Sequence, residues 1–219
     1  MTDRPILFSA PMVRALLDGR KSQTRRIIKD APSEAGWICY VEATGTRKWI
    51  GPNGYPSMPC TMRFAKGDRL WVREAWAYHG GDEMLYQREP GAVGYRADVE
   101  TDPRLSFGNV PGGRWRVSIH MPRWASRLTL TVTDVGVERL QAINEQEAIA
   151  EGIAWQMIRR PDGSSRARWF GVPHVGRDLD PVRAYADLWD SINGVGSWDA
   201  NPWVIARTFS VEKRNIDQC

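Results

Sequence analysis

The chain has 219 residues, of which 42% are hydrophobic, so it is long enough to bury a substantial core in one large domain. Its 30 Lys and Arg exceed its 26 Asp and Glu by only four, and a net charge of +4 is compatible with a polyanionic partner without proving one. The three cysteines share no close spacing, which argues against a disulfide framework and against a cysteine metal site.

The N-terminus lacks the apolar run of a signal peptide, and no apolar stretch approaches ~18 residues, the length of a membrane span. We therefore expect a cytoplasmic protein that crosses no membrane and needs neither a metal nor another cofactor. Tryptophan is unusually frequent, with eleven residues. Indole rings pack in cores, but they also stack on flat ligands such as nucleobases.

The first predicted elements are a strand over 5–9 and a helix that begins at Pro11, because proline is favoured in the first helical turn. Gly19 predicts the end of this helix, since glycine readily adopts a positive φ. The residues that follow, 21–28, predict a second strand.

Residues 30–65 are rich in Gly, Pro, Ser and Thr, and we interpret them as an insertion with a hairpin formed by 37–41 and 47–50. The stretch 66–76, KGDRLWVREAW, predicts a turn and then a strand. Residues 77–113 again hold many turn formers and are interpreted as a second insertion.

The most regular alternation lies in RLTLTVTDVGVERL at 127–140, which is rich in β-branched residues and predicts a long strand. Asn144 and Glu147 match a capping box, so they predict the start of a helix that Gly152 ends. The polar residues 156–178 form the third predicted insertion.

Asp180 and Pro181 open another predicted helix, which Gly194 ends, and residues 203–211 predict a last strand. Strands and helices do not alternate regularly, so we do not expect a doubly wound sheet. The sequence therefore predicts an α+β fold, a small mixed β-barrel or sheet with two or three helices and long loop insertions.

The segment GRKSQTRR contains the pattern G-x-K-x-x-[E/T]-x-R, formed by Gly19, Lys21, Thr24 and Arg26. With this pattern, the Gly-Asp turn in KGDRL and the order of elements, the chain resembles the ASCH domain, a branch of the PUA-like β-barrel superfamily. The longer form, with GDRLWVREAW, SIHMPRWASR and WDANPW, looks like an ASCH-containing family common in phages and prophages. The resemblance implies a PUA-like mixed β-barrel in a single domain over 1–219, with the three insertions outside the shared half.

Within this superfamily, the chain is similar to the small bacterial N4-acetylcytidine amidohydrolase at Lys21, Thr24 and Glu151. The resemblance implies that Thr24 is the nucleophile, Lys21 the proton acceptor and Glu151 the proton donor. The implied reaction is amide hydrolysis of an N4-acylated cytidine. Glu145 and Glu147 lie close enough in sequence to compete with Glu151 for the donor role, and Glu74 in WVREAW is a further carboxylate that rivals it.

This chemistry makes demands on the local structure. A threonine hydroxyl is a weak nucleophile without a base, and a lysine serves as base only when its pKa falls below ~10.4, through burial or neighbouring arginines. In a regular strand, Lys21 and Thr24 point to opposite faces, so a bulge or a loop start at 20–23 is required. Glu151 lies near the end of its predicted helix, where the helix dipole favours the protonated carboxyl.

Two segments, SIHMPRWASR and WDANPW, combine charged groups with aromatic rings, as ligand-binding loops on rigid scaffolds do. For each of these residues, the competing interpretation is a structural role as a core aromatic, a salt-bridge partner or a turn residue. The predicted substrate-binding residues are Arg26, Trp71, Glu74, His120, Arg123, Trp124, Asp199, Asn201 and Trp203.

Three functions remain open at the level of the sequence. The first is a hydrolase that acts on a modified nucleoside or nucleobase. The second is a module that binds single-stranded RNA or another nucleic acid without catalysis, through phosphate contacts and base stacking. The third is a ribonuclease, in which His120 acts with Lys21 or Arg123. The sequence leaves the oligomeric state open.

Overall fold

The computed structural model describes residues 2–32, 36–41, 47–54, 56–60, 64–78, 93–99, 114–170 and 180–219. These ranges form an α+β protein with three α-helices and many strands, as the sequence predicts. The helices are α1 (Ala10–Leu17), α2 (Glu145–Ala150) and α3 (Pro181–Asn193). The strands are β1 (Asp3–Leu7), β2 (Gln23–Ile27), β3 (Ile38–Val41), β4 (Arg47–Ile50), β5 (Pro56–Pro59), β6 (Arg69–Arg73), β7 (Trp76–Tyr78), β8 (Val93–Tyr95), β9 (Thr129–Arg139), β10 (Ala154–Arg159), β11 (Ser165–Phe170) and β12 (Trp203–Glu212).

The chain divides into two compact units. Unit 1 consists of Met1–Ser22, Lys66–Thr133 and Phe209–Cys219. Unit 2 consists of Gln23–Ala65 and Asp134–Thr208. The single domain over 1–219 stays a prediction.

The largest sheet has the strand order β1-β6-β9-β12-β2. β1 pairs with β6 in parallel, whereas β6 pairs with β9, and β12 with β2, in antiparallel fashion. A barrel requires the two edge strands of a sheet to hydrogen-bond to each other. The sheets formed by the described residues are not closed in this way, and β1 and β2 remain edges. The structure thus corrects the predicted barrel to an open sheet.

In unit 1, helix α1 begins at Ala10 with a proline in its first turn and buries Val13 and Leu16. Gly19 follows with a φ of 73°, as the sequence predicts. The carbonyl of Ala15 accepts hydrogen bonds from the backbone N–H groups of both Arg20 and Lys21. Strand β2 begins only at Gln23, in unit 2, so residue 21 lies before the regular strand rather than inside it.

In unit 2, both predicted helix starts are confirmed. The Asn144 side chain accepts from the N–H of Glu147, whose carboxylate accepts in turn from the N–H of Asn144. Asp180 caps α3, and Gly194 ends it with a φ of 103°. The helices pack on a buried core that includes Leu140, Ile143, Ala148, Ile153, Ala184, Tyr185, Leu188, Trp189 and Val204.

The predicted loop insertions contain regular structure. The hairpin predicted in 30–65 is confirmed as β3–β4, and β5 extends it to three strands. The insertion predicted at 156–178 is not a loop throughout, because β10 and β11 pair in register from Ala154 with Phe170 to Arg159 with Ser165. The Asp-Gly pair at 162–163, with Gly163 at a φ of 80°, supplies the turn of this hairpin. Most of the insertion predicted at 77–113 lies outside the described residues, namely 79–92 and 100–113, as do residues 171–179.

Candidate active site

The Thr24 hydroxyl is a buried polar group to which the described residues offer no partner. Thr24 lies in β2 and is 1% exposed, and its Oγ1 makes no hydrogen bond within the part of the chain that the structure describes. Nearly all buried polar groups in folded proteins are hydrogen-bonded, since an unsatisfied one destabilises the fold. A hydroxyl left in this state is therefore available for a ligand or a reaction.

Arg207 lies directly opposite Thr24 on the adjacent strand β12. Its guanidinium lies over the Phe64 ring, 4.3 Å from the centroid. Its buried Nε finds no hydrogen-bond partner in the described ranges. Burial, together with the positive charge of Arg26, lowers the pKa of Arg207 to about 10. Thr24 and Arg207 are thus two neighbouring side chains of one antiparallel pair, each with an unsatisfied polar atom.

Glu151 terminates α2 and is 5% exposed, with its Oε1 3.3 Å from Nη1 of the fully buried Arg25. Arg25 also donates from Nε to Glu138 at 2.8 Å and lies 3.2 Å from Glu147. These four residues are called the Arg25 network. Burial lowers the pKa of Arg25, but the nearby carboxylates, of which Glu151 has the largest effect, raise it by more. The pKa of Arg25 therefore lies above its usual value.

Two further groups respond to the charge of Glu151. The Tyr185 hydroxyl hydrogen-bonds to Glu151, and burial together with that carboxylate raises the pKa of Tyr185 well above its usual value. Burial lowers the pKa of Arg26, while Glu151 raises it. Arg25 and Arg26 are successive residues of β2 and point to opposite faces, so the charge of Glu151 acts on both faces of this edge strand.

The structure confirms the position that the sequence predicts for Glu151, at the C-terminal end of its helix, where it is the C-cap residue of α2. There its carboxyl group lies in the ion pair with Arg25.

Lys21, the third predicted catalytic residue, belongs to unit 1, whereas Thr24 and Glu151 belong to unit 2. Lys21 is 1% exposed, with Nζ 5.7 Å from the centroid of the Phe8 ring. Lys21 lies before strand β2, which begins at Gln23, so it is not bound to the alternation of a regular strand that would point it away from Thr24. That Lys21, Thr24 and Glu151 form one site stays a prediction.

Glu74, a predicted substrate-binding residue in unit 1, is held in an ion-pair network. Arg127 donates to both of its carboxylate oxygens, at 2.9 and 3.1 Å, and to Asp98 at 2.7 and 2.9 Å. The Arg127 guanidinium lies 3.9 Å from the centroid of the Tyr95 ring. Burial raises the pKa of Glu74 and takes that of Tyr95 to about 12. These four residues are called the Arg127 network, and their contacts support the structural alternative for Glu74.

The other predicted binding residues of unit 1 also contact protein groups. Trp71 is buried beneath the guanidinium of Arg73, which lies 4.5 Å from its ring centroid. Arg123 donates to Asp3 at 2.6 Å and to Asp217 at 2.9 Å. Trp124 packs against a cluster of buried residues around Trp76, whereas His120 is exposed in the 3-10 turn Ser118–His120.

The segment WDANPW in unit 2 forms a turn, which was the interpretation competing with a ligand-binding loop. Asn201 has a φ of 42°, and its side-chain oxygen accepts from the N–H of Gln141 at 2.9 Å. Asp199 is exposed. One face of Trp203 is covered by the Arg139 guanidinium at 4.5 Å, and its ring meets Trp49 edge-on at 5.0 Å. Substrate binding by these residues stays a prediction.

Sequence reasoning missed Arg207 and Tyr185 as parts of a polar cluster. Arg207 is a charged residue between apolar neighbours in VIARTFS, and that contrast is the signal that was available. Tyr185 lies on the apolar face of α3, which hides its hydroxyl among core residues. Nothing in the sequence spacing pairs Arg207 with Thr24, since only the register of β12 with β2 does so.

Comparison with known proteins gives no match to a family model, to a curated protein or to a solved structure. The ASCH resemblance therefore depends on the sequence motifs and the predicted order of elements alone. Within the part of the chain that the structure describes, no helix is both long and apolar enough to cross a bilayer. The same residues contain no group of three or more His, Cys, Asp or Glu side chains that could hold a metal ion.

Proposed function

We propose that this chain is a hydrolase acting on a modified nucleoside or nucleobase, by amide hydrolysis of an N4-acylated cytidine, with Thr24 as nucleophile. The observation that carries the proposal is the Thr24 hydroxyl, which is buried and has no hydrogen-bond partner among the described residues. The fold is proposed to be a PUA-like ASCH domain with an open sheet, on the motif Gly19, Lys21, Thr24 and Arg26.

The proposed reaction proceeds in two steps. Thr24 Oγ1 attacks the acyl carbonyl, the amide C–N bond breaks, and cytidine leaves with a proton on its N4 amine. Water then attacks the acyl-threonine ester, releasing the carboxylate and restoring the hydroxyl. A base must take the hydroxyl proton in the first step, and an acid must protonate the leaving amine.

The resemblance gives the base role to Lys21. Lys21 is buried, and burial is one of the conditions under which a lysine can act as a base. Glu151 is proposed as the acid, which delivers its proton to the leaving N4 amine while Lys21 takes the proton of the Thr24 hydroxyl. In the second step the attacking water gives a proton to Glu151 and Lys21 returns its proton to Thr24 Oγ1, so both groups regain their starting state. Arg26, half-buried on the same face of β2 as Thr24, is proposed to bind the substrate.

The test is to incubate the protein with N4-acetylcytidine and related acylated cytidines and to follow the loss of the amide absorbance. We expect turnover by the wild type, none by Thr24→Val, and partial activity in Thr24→Ser, which keeps a hydroxyl. Thr133→Val, at an exposed position of β9, is the matched control and stays active. Absence of turnover together with salt-sensitive RNA binding would overturn the proposal in favour of a binding module. RNA cleavage that survives Thr24→Val but not His120→Ala would overturn it in favour of a ribonuclease.

A further inference from the structure

The arginines of unit 2 differ in how their charges are compensated. Arg25 has three carboxylates within 3.3 Å. Arg207 is 6% exposed, and the described residues provide it with an aromatic ring, that of Phe64, but with no carboxylate. Among the described residues, its buried positive charge therefore has no counter-ion.

The contact with Phe64 leaves a defined part of the Arg207 guanidinium for a ligand. Stacking on an aromatic ring occupies a face of the guanidinium plane, while its N–H bonds point outward within that plane. The Nε–H is one of these donors, and it is buried with no acceptor from the residues that the structure describes. Nε and an adjacent terminal nitrogen together form a fork that matches two oxygens of a carboxylate or a phosphate.

The charges and donors around this fork favour an anion. The neighbour that acts on Arg207 electrostatically is Arg26, which carries the same sign of charge. Thr24, directly across the strand pair, contributes a second buried polar group that lacks a partner. A buried charge is retained in a fold at a cost in stability, and a ligand of opposite charge removes that cost.

We propose that Arg207 is the centre of an oxyanion-binding site, which holds a carboxylate or phosphate group through Nε and one terminal nitrogen, with the Thr24 hydroxyl as an additional donor. The site does not depend on the proposed hydrolysis, because it follows from an uncompensated cation. Two sources share this chemistry, namely the carboxylate released from an acyl group and the phosphate of a nucleotide.

The experiment measures anion binding to the full chain at constant ionic strength, by calorimetry and by the shift in the unfolding temperature. The probes are sodium acetate, inorganic phosphate and cytidine monophosphate, with cytidine as the uncharged comparison. We expect saturable binding of acetate or phosphate, weakened at least about tenfold, roughly 1.4 kcal/mol, by Arg207→Met. Arg183→Met is the matched control, since Arg183 is 73% exposed at the start of α3, and it leaves binding unchanged.

Comparing acetate with the two phosphate probes distinguishes an acyl carboxylate from a nucleotide phosphate as the natural ligand. Binding of phosphate and cytidine monophosphate without acetate identifies a nucleotide phosphate, and binding of acetate alone identifies an acyl carboxylate. Without anion, Arg207→Met is expected to unfold at a higher temperature than the wild type, since it removes an unpaired charge. Equal anion affinity in Arg207→Met and wild type, or no saturable binding of any probe, would overturn the proposal. If that variant does not fold, Arg207→Lys, which keeps the charge and loses the fork, has to show the same weakening.

These outcomes are independent of turnover. A protein that hydrolyses N4-acetylcytidine but binds neither acetate nor phosphate retains the proposed function and loses the anion site. A protein that binds an anion at Arg207 but hydrolyses no acylated cytidine retains the anion site and loses the proposed function.

Discussion

The Arg127 network of unit 1 and the pair formed by Thr24 and Arg207 in unit 2 both bury polar side chains, but they differ in how many partners these side chains have among the described residues. In unit 1, two carboxylates and an aromatic ring surround Arg127, so its charge and that of Glu74 are both paired. In unit 2, Arg25 takes three carboxylates, while Arg207 and the Thr24 hydroxyl on the paired strand have unsatisfied atoms.

This difference separates a structural network from a candidate site. A buried network whose donors and acceptors are all paired stabilises its own unit and has no free donor or acceptor for a ligand. Unsatisfied buried groups destabilise the fold, and a ligand that pairs with them offsets this loss. Glu74 and Glu151 were both candidate carboxylates in the sequence, and their partners now give them different roles. The predictions below test whether the two regions respond to mutation as this distinction requires.

The largest expected effect is loss of the Arg127 charge. Arg127→Met leaves Glu74 buried without its partner, so we expect the free energy of unfolding to fall by about 3–5 kcal/mol. Urea unfolding of the purified variant measures this loss. The double variant Glu74→Gln/Arg127→Met should recover part of it. An equally large loss in Arg207→Met would contradict the comparison, since that would make Arg207 structural as well.

The next effect compares two buried hydroxyls. The Ser126 hydroxyl donates to the carbonyl of Val72 at 2.9 Å, so Ser126→Ala should lower the free energy of unfolding by about 1 kcal/mol. Thr24→Val removes a hydroxyl that has no partner and should leave stability unchanged or raise it by up to about 1 kcal/mol. Denaturant titrations of the two variants decide this. A loss in Thr24→Val as large as that in Ser126→Ala would show that the hydroxyl is satisfied in the native protein.

A smaller effect concerns acid stability. The backbone N–H of Trp198, assisted by Gly196 and the Ser197 hydroxyl, holds the pKa of Asp190 below its usual 3.8. A carboxyl with a lowered folded-state pKa stabilises the protein above its unfolded value, and this contribution disappears as the pH falls below 3.8. Asp190→Asn should therefore lose stability near neutral pH and show a shallower further decrease below pH 3.8. Urea unfolding on both sides of that pH measures it, and parallel curves for variant and wild type would refute it.

Glu74 gives the opposite sign in the same experiment. Burial raises the pKa of Glu74 above its usual 4.5 in spite of Arg127. Its contribution to stability is present below 4.5 and is lost as the pH rises through the raised value. In wild type, the free energy of unfolding should therefore decrease as the pH rises above 4.5, and Glu74→Gln should remove this decrease. Asp190→Asn, by contrast, should remove a decrease that occurs as the pH falls below 3.8.

The smallest effect is on thiol reactivity. Cys219 is exposed, whereas burial raises the pKa of Cys39 and takes that of Cys60 to about 12. Because the thiolate is the reactive form, we expect one fast and two slow cysteines when a thiol reagent is added at neutral pH. Cys219→Ser should remove the fast phase, and a second fast thiol in this variant would show that Cys39 or Cys60 is accessible.

Local signals in the sequence predicted the helices well. Asn144 with Glu147, and Asp180 with Pro181, act through short-range hydrogen bonds and φ preferences, so the sequence alone contains them. The hairpin of β10 and β11 was missed because its arginines and glycine suggested a loop, although the Asp-Gly turn was present. The closed barrel was wrong because edge pairing is a long-range property that no local pattern records.

The candidate site shows the same limit. The motif residue Thr24 was predicted from its neighbours in sequence, but its lack of a partner depends on burial by distant segments. Arg207 is 183 residues away in the chain and joins Thr24 only through strand register. The partners of Glu74, Arg123 and Asn201 likewise come from other elements, which is why a list of polar residues did not distinguish bound groups from available ones.

The central claim is that the Thr24 hydroxyl is a reactive group, and the acyl-enzyme tests it most directly. Wild-type protein is mixed with N4-acetylcytidine, quenched in acid within a turnover, digested and analysed by mass spectrometry. The account predicts one added acetyl group on the peptide that contains Thr24, absent from Thr24→Val. Release of acetate at an undiminished rate by folded Thr24→Val, with no acetyl group on that peptide in the wild type, would contradict it.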